Sequence, residues 1–355
     1  MRLGVFLPNW VGDVVMATPA IRALRKLAGD GELIGVMRPY VAEVLAGCEW
    51  FDDAILYSKK EKASGPEYQW PAVRQRLRAA RLDAAVLLPN SLRTAWMAYR
   101  SGARRRVGMA ANLRSPLLTT KVYAPREGWR RLHLPAIDGY LHVAQAAGCG
   151  PESPALELAT TPADEQAADA AWRRLRLPTE DRRVAVFNTG GAFGAAKDWP
   201  AAHFAALARR LAERHDLHVL INCGPAERDA ARRIAADADD RRVTSLADEP
   251  NLPIGLAKAV IRRARLLVTT DSGPRFFGVA FGVPTVTLFG PTSTRLTRTY
   301  GECETSLSLE LDCQPCMARV CPLTHHRCMG DLSVDRVYHA AAAWLDESQR
   351  RRPAA

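Results

Sequence analysis

The chain has 355 residues, 48% hydrophobic and 25% charged, with 24 glycines, 23 prolines and a formal net charge of +11. That length predicts about two domains, each able to bury its own core, and the composition excludes a disordered or fibrous chain. No run approaches the roughly 18 apolar residues of a membrane span, and the first residues enter a strand without a signal-peptide pattern, so a cytoplasmic location is expected.

The positive charge comes mainly from arginine, with clusters at Arg104-Arg105-Arg106, Arg130-Arg131 and Arg350-Arg351-Arg352. Such a balance suits phosphorylated substrates or an anionic membrane leaflet, or it is simply a solvated surface. Zinc-finger spacing, an RNA-binding signature and a basic helix with heptads are all missing, so no nucleic-acid partner is expected.

In chain order, the first apolar run, Leu3–Leu7, reads as a strand that breaks at Pro8. A short loop then places Asp13 at the start of an amphipathic helix within "LPNWVGDVVMATPAIRALR". A carboxylate there is either a helix cap or, at the carboxyl end of a strand, a general base. Further strands are predicted near Leu33–Met37 and Ala84–Leu88, with helices between them. "GCGPESPALELATTPAD", residues 148–164, is rich in Gly, Pro, Ser and Thr and reads as a linker. The pattern then repeats, with strands near Val184–Phe187, His218–Asn222, Leu266–Thr270 and Thr285–Phe289. Alternating strands and helices predict parallel sheets, hence an α/β protein of two Rossmann-like domains facing a cleft, with ligands at the carboxyl ends of the strands. The boundaries read from the pattern are 1–160 for the first domain, 161–332 for the second, and 333–355 for a last amphipathic helix begun by Ser333 and packing back toward the first domain.

Three loops of the second half follow strand ends. "NTGGAFGAAKDWP" carries Thr189, Gly190 and Lys197; its glycines let backbone N–H groups approach a ligand, and the lysine offers a point charge to phosphate. It matches neither a P-loop nor a dinucleotide fingerprint, and a plain flexible turn is the competing reading. "DSGPRFFGVAFGVP" sets Asp271, Ser272 and Gly273 at a helix start, suited to a diphosphate but equally explained by an N-cap. "CGPAERD" adds Glu227, able to accept from ribose hydroxyls.

Taken together, "PNWVGDVVMATPAIRAL", "LLPNSLRTAW", "NTGGAFGAAKDWP" and "TTDSGPRFFGVAFGVPTVTLFGPT" resemble the ADP-heptose:lipopolysaccharide heptosyltransferases of glycosyltransferase family 9, over nearly the whole chain and in order. The resemblance implies a GT-B architecture, with the acceptor held by the N-terminal domain and the nucleotide sugar by the C-terminal one. It implies an inverting transfer of heptose from ADP-heptose to the lipopolysaccharide inner core at an anionic membrane surface, peripheral on the cytoplasmic face. In its terms Asp13 is the general base, Lys197 and the backbone near Thr189 and Gly190 stabilise the departing diphosphate, and Asp271, Ser272 and Gly273 cradle it. Glu227 holds the ribose. No Asp-x-Asp stands in strand context, so neither catalytic metal nor cofactor is expected. One departure is Phe276, where many relatives carry histidine; Arg275 is then a candidate to replace the lost phosphate contact. The alternatives are a related GT-B transferase with another donor or acceptor, and a catalytically weakened nucleotide-sugar-binding protein.

Eight cysteines remain. Cys48, Cys149, Cys223 and Cys303 are scattered, whereas Cys313, Cys316, Cys321 and Cys328 form C-x2-C-x4-C-x6-C with His325 and His326 inside. That spacing suits zinc or an iron–sulfur centre. The resembling proteins often carry a similar segment without needing metal for transfer, so a plain structural loop stays open beside it; any metal there would be structural.

Overall fold

The computed structural model describes residues 1–58, 65–179, 183–191 and 193–350, without the side chains of residues 130, 131 and 348–350. Ala192 of the predicted phosphate loop falls outside, and of the last arginine cluster only the Arg350 backbone falls inside. The chain divides into two compact units, one of residues 1–159 with 295–300 and one of 160–294 with 301–355.

The first unit is built from β1 (Arg2–Phe6), α1 (Val11–Met16), α2 (Thr18–Ala28), β2 (Glu32–Met37), α3 (Pro39–Leu45), β3 (Asp53–Leu56), α4 (Trp70–Ala79), β4 (Ala84–Leu87), α5 (Leu92–Ser101), β5 (Arg105–Met109), β6 (Thr120–Val122), a hairpin of β7 (Arg126–Glu127) and β8 (Arg130–Arg131), and α6 (Ala136–Ala147). The second comprises α7 (Pro162–Arg174), β9 (Val184–Asn188), α8 (Ala201–His215), β10 (His218–Asn222), α9 (Arg228–Ala238), β11 (Val243–Ser245), α10 (Ile254–Arg262), β12 (Leu266–Thr270), α11 (Gly273–Ala280), β13 (Thr285–Phe289), β14 (Glu304–Ser308), α12 (Arg327–Gly330) and α13 (Val334–Arg350). The sheets run β3-β2-β1-β4-β5-β6 and β11-β10-β9-β12-β13-β14, and every pairing in them is parallel. This is the doubly wound order twice over. Its ligand crevice lies where the order reverses, beyond the carboxyl ends of β1 and β4 in one sheet and of β9 and β12 in the other.

The central strands are buried on both faces, as crossover helices require: β4, β9, β12 and β13 are buried at every position. These are the strands the apolar runs predict. The unpredicted ones are short or polar; β14 (ETSLS) is only half-buried and β3 begins with an exposed Asp53. Local signals set the helix ends. Thr161 and Asp164 form a capping box on α7, α6 stops at Gly148 with φ of 114°, and Ser333 Oγ accepts from Arg336 N at 3.3 Å as the α13 cap.

The last helix packs on α8, β12 and β13 of the second unit, where Val337, Ala341 and Leu345 form a buried apolar stripe. Part of the first arginine cluster is structural rather than a free basic surface. Arg105 donates to the last carbonyls of α6, Ala147 O at 2.8 Å and Ala146 O at 2.7 Å, where a cation suits the helix dipole. Arg106 binds Leu117 O at 2.7 Å.

Candidate active site

In the first unit β1 ends at Phe6, and the loop that follows is tied down through Asn9. Its carbonyl accepts from the Tyr40 hydroxyl and its side chain from Tyr57 at 3.3 Å. The chain turns into α1 with half-buried Asp13 in the first turn. Tyr140, from the middle of α6, donates its hydroxyl to Asp13 Oδ1 at 3.0 Å. Burial pushes the Tyr140 hydroxyl well above its ordinary value, and the Asp13 charge and hydrogen bond push it the same way. Tyr140 is therefore a permanent donor, one that favours the ionised carboxylate. The neighbouring loop, after β4, belongs to the "LLPNSLRTAW" motif. Ser91 caps α5 through Thr94 N, and the buried Arg114 guanidinium binds Met109 O at 2.8 Å, Asn90 Oδ1 at 3.1 Å and the Pro89 carbonyl. Burial alone lowers Arg114 to about 10.

In the second unit the loops after β9 and β12 meet. Lys197 donates its ammonium to Asp271 Oδ2 at 3.1 Å and to the Asp271 carbonyl, with the Phe193 ring centroid 4.4 Å from Nζ. Thr292 donates to Asp271 Oδ2 at 2.7 Å and Arg275 to Oδ1 at 2.9 Å. Burial alone would raise the Asp271 carboxyl, but Lys197, Arg275 and the Thr292 hydroxyl outweigh it and hold it below the ordinary carboxylate value. Asn188, the last residue of β9, donates to Gly190 O at 2.9 Å and Ser272 Oγ at 3.1 Å, and its own carbonyl accepts from Asn222 at 2.8 Å. Gly191 is needed for this approach, since a Cβ there would lie 2.9 Å from Ser272 Cβ; a Cβ on Gly190 would lie 2.5 Å from Glu227 Oε1 and would turn that side chain away.

These contacts separate the competing readings. Ser272 stands at the N-cap position of α11 without a side-chain cap bond; its hydroxyl turns to Asn188 and Thr269 instead. Asp271 is the anchor of the Lys197 ammonium. Gly273 opens α11, and Thr189 is buried beside Gly190. Glu227 uses Oε2 to close its own turn on Gly224 N at 2.8 Å, which is the local structural role, while Oε1 lies beside Gly190. Arg275 does not reach for a phosphate: it is 1% exposed, its guanidinium is bound to Asp271 and Glu304, and it lies between the Phe276 and Phe289 rings, each centroid 4.8 Å away. Phe276 is thus a wall of this buried ion-pair cluster. Burying two carboxylates requires such pairing.

Sequence reasoning missed Tyr140, Asn188, Thr292 and Glu304. No local signal marks them, since each acts on a residue from another element.

The four clustered cysteines line one half-open cavity of about 330 Å³, solvent at its mouth included, together with His325 and His326. Burial pushes the Cys328 thiol up, and Cys321, Cys313 and Cys316 push it the same way.

Two doubly wound units with phosphate-suited loops at the carboxyl ends of β9 and β12 define a GT-B glycosyltransferase fold. The sequence matches the model of glycosyltransferase family 9 (heptosyltransferase) over residues 70–326, and the chain belongs to that family. It is 24% identical to lipooligosaccharide heptosyltransferase 2 of Campylobacter jejuni, over 98% of this chain and 99% of that protein. It is 27% identical to lipopolysaccharide heptosyltransferase 2 of Escherichia coli K12, over 82% and 84%. The solved structure of E. coli ADP-heptose lps heptosyltransferase II superposes with a TM-score of 0.78 at 22% identity, covering 98% of this chain and all of that one (100%), a likeness of fold.

Proposed function

We propose that the protein transfers heptose from ADP-heptose to the inner core of lipopolysaccharide with inversion at the anomeric carbon. The observation that carries this reading is the Lys197 ammonium, 13% exposed and held by Asp271 between the ends of β9 and β12. A fixed cation beside close-approaching glycines is what a departing diphosphate needs. The acceptor hydroxyl oxygen attacks the anomeric carbon as the bond to the β-phosphate oxygen breaks. ADP leaves with that electron pair, its new charge met by Lys197 and by the N–H groups at the start of α11, and the hydroxyl proton passes to Asp13. Tyr140 orients Asp13 through its hydroxyl, a donor whose hydrogen bond favours the charged form of the carboxylate. The names of the E. coli and C. jejuni relatives support the heptose and the lipopolysaccharide acceptor, and the likeness to E. coli ADP-heptose lps heptosyltransferase II supports ADP-heptose as donor.

Contact with an anionic membrane surface is part of this reading. Among the described residues no helix is long and apolar enough to cross a membrane. The first unit instead exposes Trp129 (97%) at the tip of the β7–β8 hairpin and Tyr123 (63%) just before it, beside exposed Lys121 and Arg126. Aromatic tips flanked by cations suit the headgroup region.

Asp13→Asn and Lys197→Ala test the mechanism. Asp13→Asn is expected to lower turnover by ~10²–10⁴-fold, the usual worth of a general base, while ADP affinity in calorimetry stays at the wild-type value. Lys197→Ala is expected to weaken ADP binding about ten- to hundredfold, the scale of a charge-assisted hydrogen bond, and to slow transfer with it. Wild-type turnover in Asp13→Asn would return Asp13 to a structural cap. Unchanged ADP affinity in Lys197→Ala would leave the lysine as a partner of Asp271 only. Running the same assay with other nucleotide sugars tests the alternative donor.

A further inference from the structure

Arg275 and Glu304 take no part in the transfer as described, yet they are tied to the carboxylate that holds Lys197. Glu304 opens β14, the edge strand of the second sheet, and its Cα partner there is Thr285 of β13. Further along β13, Thr287 donates its hydroxyl to Glu304 Oε1 at 2.6 Å. The next residue of β14, Thr305, accepts from Trp344 Nε1 of α13 at 2.9 Å, so this polar strand is tied to the last helix as well as to β13.

Arg275 stands in the first turn of α11 and spans the distance from Glu304 to Asp271. Its Nε donates to Glu304 Oε1 at 2.5 Å and one terminal nitrogen to Oε2 at 3.1 Å, a forked contact that leaves the other terminal nitrogen for Asp271 Oδ1 at 2.9 Å. The Phe276 and Phe289 rings flank the guanidinium, and a planar fork is what meets two carboxylates in this way. Asp271 is thereby divided: Oδ1 faces Arg275, while Oδ2 receives Lys197 at 3.1 Å and Thr292 at 2.7 Å. The charges run in the order Glu304, Arg275, Asp271, Lys197, alternate in sign and come from a strand, a helix and two loops. The first three side chains are 1–5% exposed and Lys197 is 13% exposed, so the row opens toward solvent at the ammonium.

We propose that Arg275 and Glu304 are positioning residues for the leaving group: Glu304 fixes the Arg275 guanidinium, Arg275 fixes the plane of the Asp271 carboxylate, and Oδ2 is thereby presented to Lys197 at one place. A lysine ammonium sits on a flexible four-carbon stem, and its worth to a departing diphosphate depends on being in place beforehand. A carboxylate turns about a broad terminal torsion, so Asp271 held by Lys197 and Thr292 alone would follow the ammonium and not direct it. With Oδ1 pinned from the buried side, the carboxylate becomes a fixed anchor. Asp271 also divides its charge between two cations, so Lys197 is not fully neutralised before a diphosphate arrives. Glu304 balances Arg275 in turn, as burial of a charge requires. The inference rests on the reading that Lys197 meets the diphosphate.

Calorimetry with ADP on the full chain tests this through double-mutant cycles with Lys197→Ala. Arg275→Lys keeps the charge but not the fork, and Glu304→Gln keeps the shape but not the charge. Each is expected to weaken ADP binding about three- to tenfold, within the usual coupling of residues in one hydrogen-bond network. In the Lys197→Ala background the same substitutions should change ADP affinity by less than about twofold, because the residue they act through is gone. Equal losses in both backgrounds would mean a merely structural role and overturn the proposal, and wild-type affinity in either variant would strike that residue from the role. Thermal unfolding checks that each variant is folded at the temperature of measurement. If the single variants unfold there, Arg275→Met/Glu304→Gln, which removes both charges of the pair together, runs through the same cycle with the same expected outcome. Wild-type ADP affinity in Lys197→Ala alone would remove the donor reading and this inference with it. Weakened affinity in Lys197→Ala with equal losses in both backgrounds would remove only the positioning role.

Discussion

Tyr140 and Asp13 lie 127 residues apart, and their hydrogen bond makes a sharper prediction than either residue alone. A hydroxyl that stays protonated and donates to a carboxylate stabilises its ionised form, and hydrogen bonds to charged groups contribute about 1.5–3 kcal/mol. Tyr140→Phe removes that donor and keeps the ring. The acid limb of kcat/KM against pH should then move to higher pH, because the carboxylate loses a hydrogen bond that favours its charged form. A merely structural tyrosine would lower the whole profile without moving its limb, and an unmoved limb would remove Tyr140 from the positioning role. Arg275 teaches the converse lesson at the same scale. A basic residue two positions after Gly273 looks available to a phosphate, yet Glu304, 29 residues further on, captures it. Leaving one member of such a buried cluster unpaired costs about 3–5 kcal/mol, more than an exposed phosphate contact returns, so pairing inside the protein wins.

At the scale of elements, the β7–β8 hairpin is too short to add to either sheet, and it carries Trp129 almost fully into solvent. If it meets the membrane surface, replacing the ring should matter more than replacing any one cation, since a single basic residue near an anionic surface contributes only ~1 kcal/mol. Trp129→Ser is expected to reduce co-sedimentation with vesicles containing anionic lipid by about tenfold at low salt, with activity on a soluble, delipidated acceptor retained. Equal sedimentation of variant and wild type would leave the hairpin without that role. The loops after β9 and β12 are the opposite kind of element. Short and glycine-bearing, they are cross-braced by Asn188, Ser272 and Asp271, so that a cation is held in place before any ligand arrives.

Across the whole molecule, His203, His215 and His218 in the second unit share one trend. Burial lowers each below 6.5, aided at His215 by Arg265 against Asp346, and at His218 chiefly by Arg242 and Arg183. The unfolded chain takes these protons first as pH falls. Stability is therefore full above the unfolded value and is lost as pH drops through 6.5 toward the lower folded values. Thermal unfolding followed from pH 7.5 to 5 should show a falling Tm in that window, flattened in His203→Asn/His215→Asn/His218→Asn. A Tm that stays level or rises would contradict the neutral state of these imidazoles. Carboxylates such as Asp271, held below their ordinary value, act in a lower window, where acid removes the stability they contribute.

What the sequence by itself determined follows the reach of local physics. Continuous apolar runs marked β1, β4, β9, β12 and β13, because strands covered on both faces have no polar side to show. Glycine, proline and capping residues marked the turns, and the order of motifs carried the family. Cys313, Cys316, Cys321 and Cys328 were legible as a group because their spacing is local. The polar strand β14 was not legible: its Glu304 is buried only because Arg275 and Thr287 receive it. Tertiary structure alone decided that Lys197 is anchored by Asp271, 74 residues away, that Tyr140 holds Asp13, that Arg275 turns inward, and that α13 lies on the second sheet. Each depends on which side chains fold into reach of one another; burial then makes an unpaired charge or hydroxyl costly enough to select its partner, and no periodicity or spacing along the chain encodes that choice.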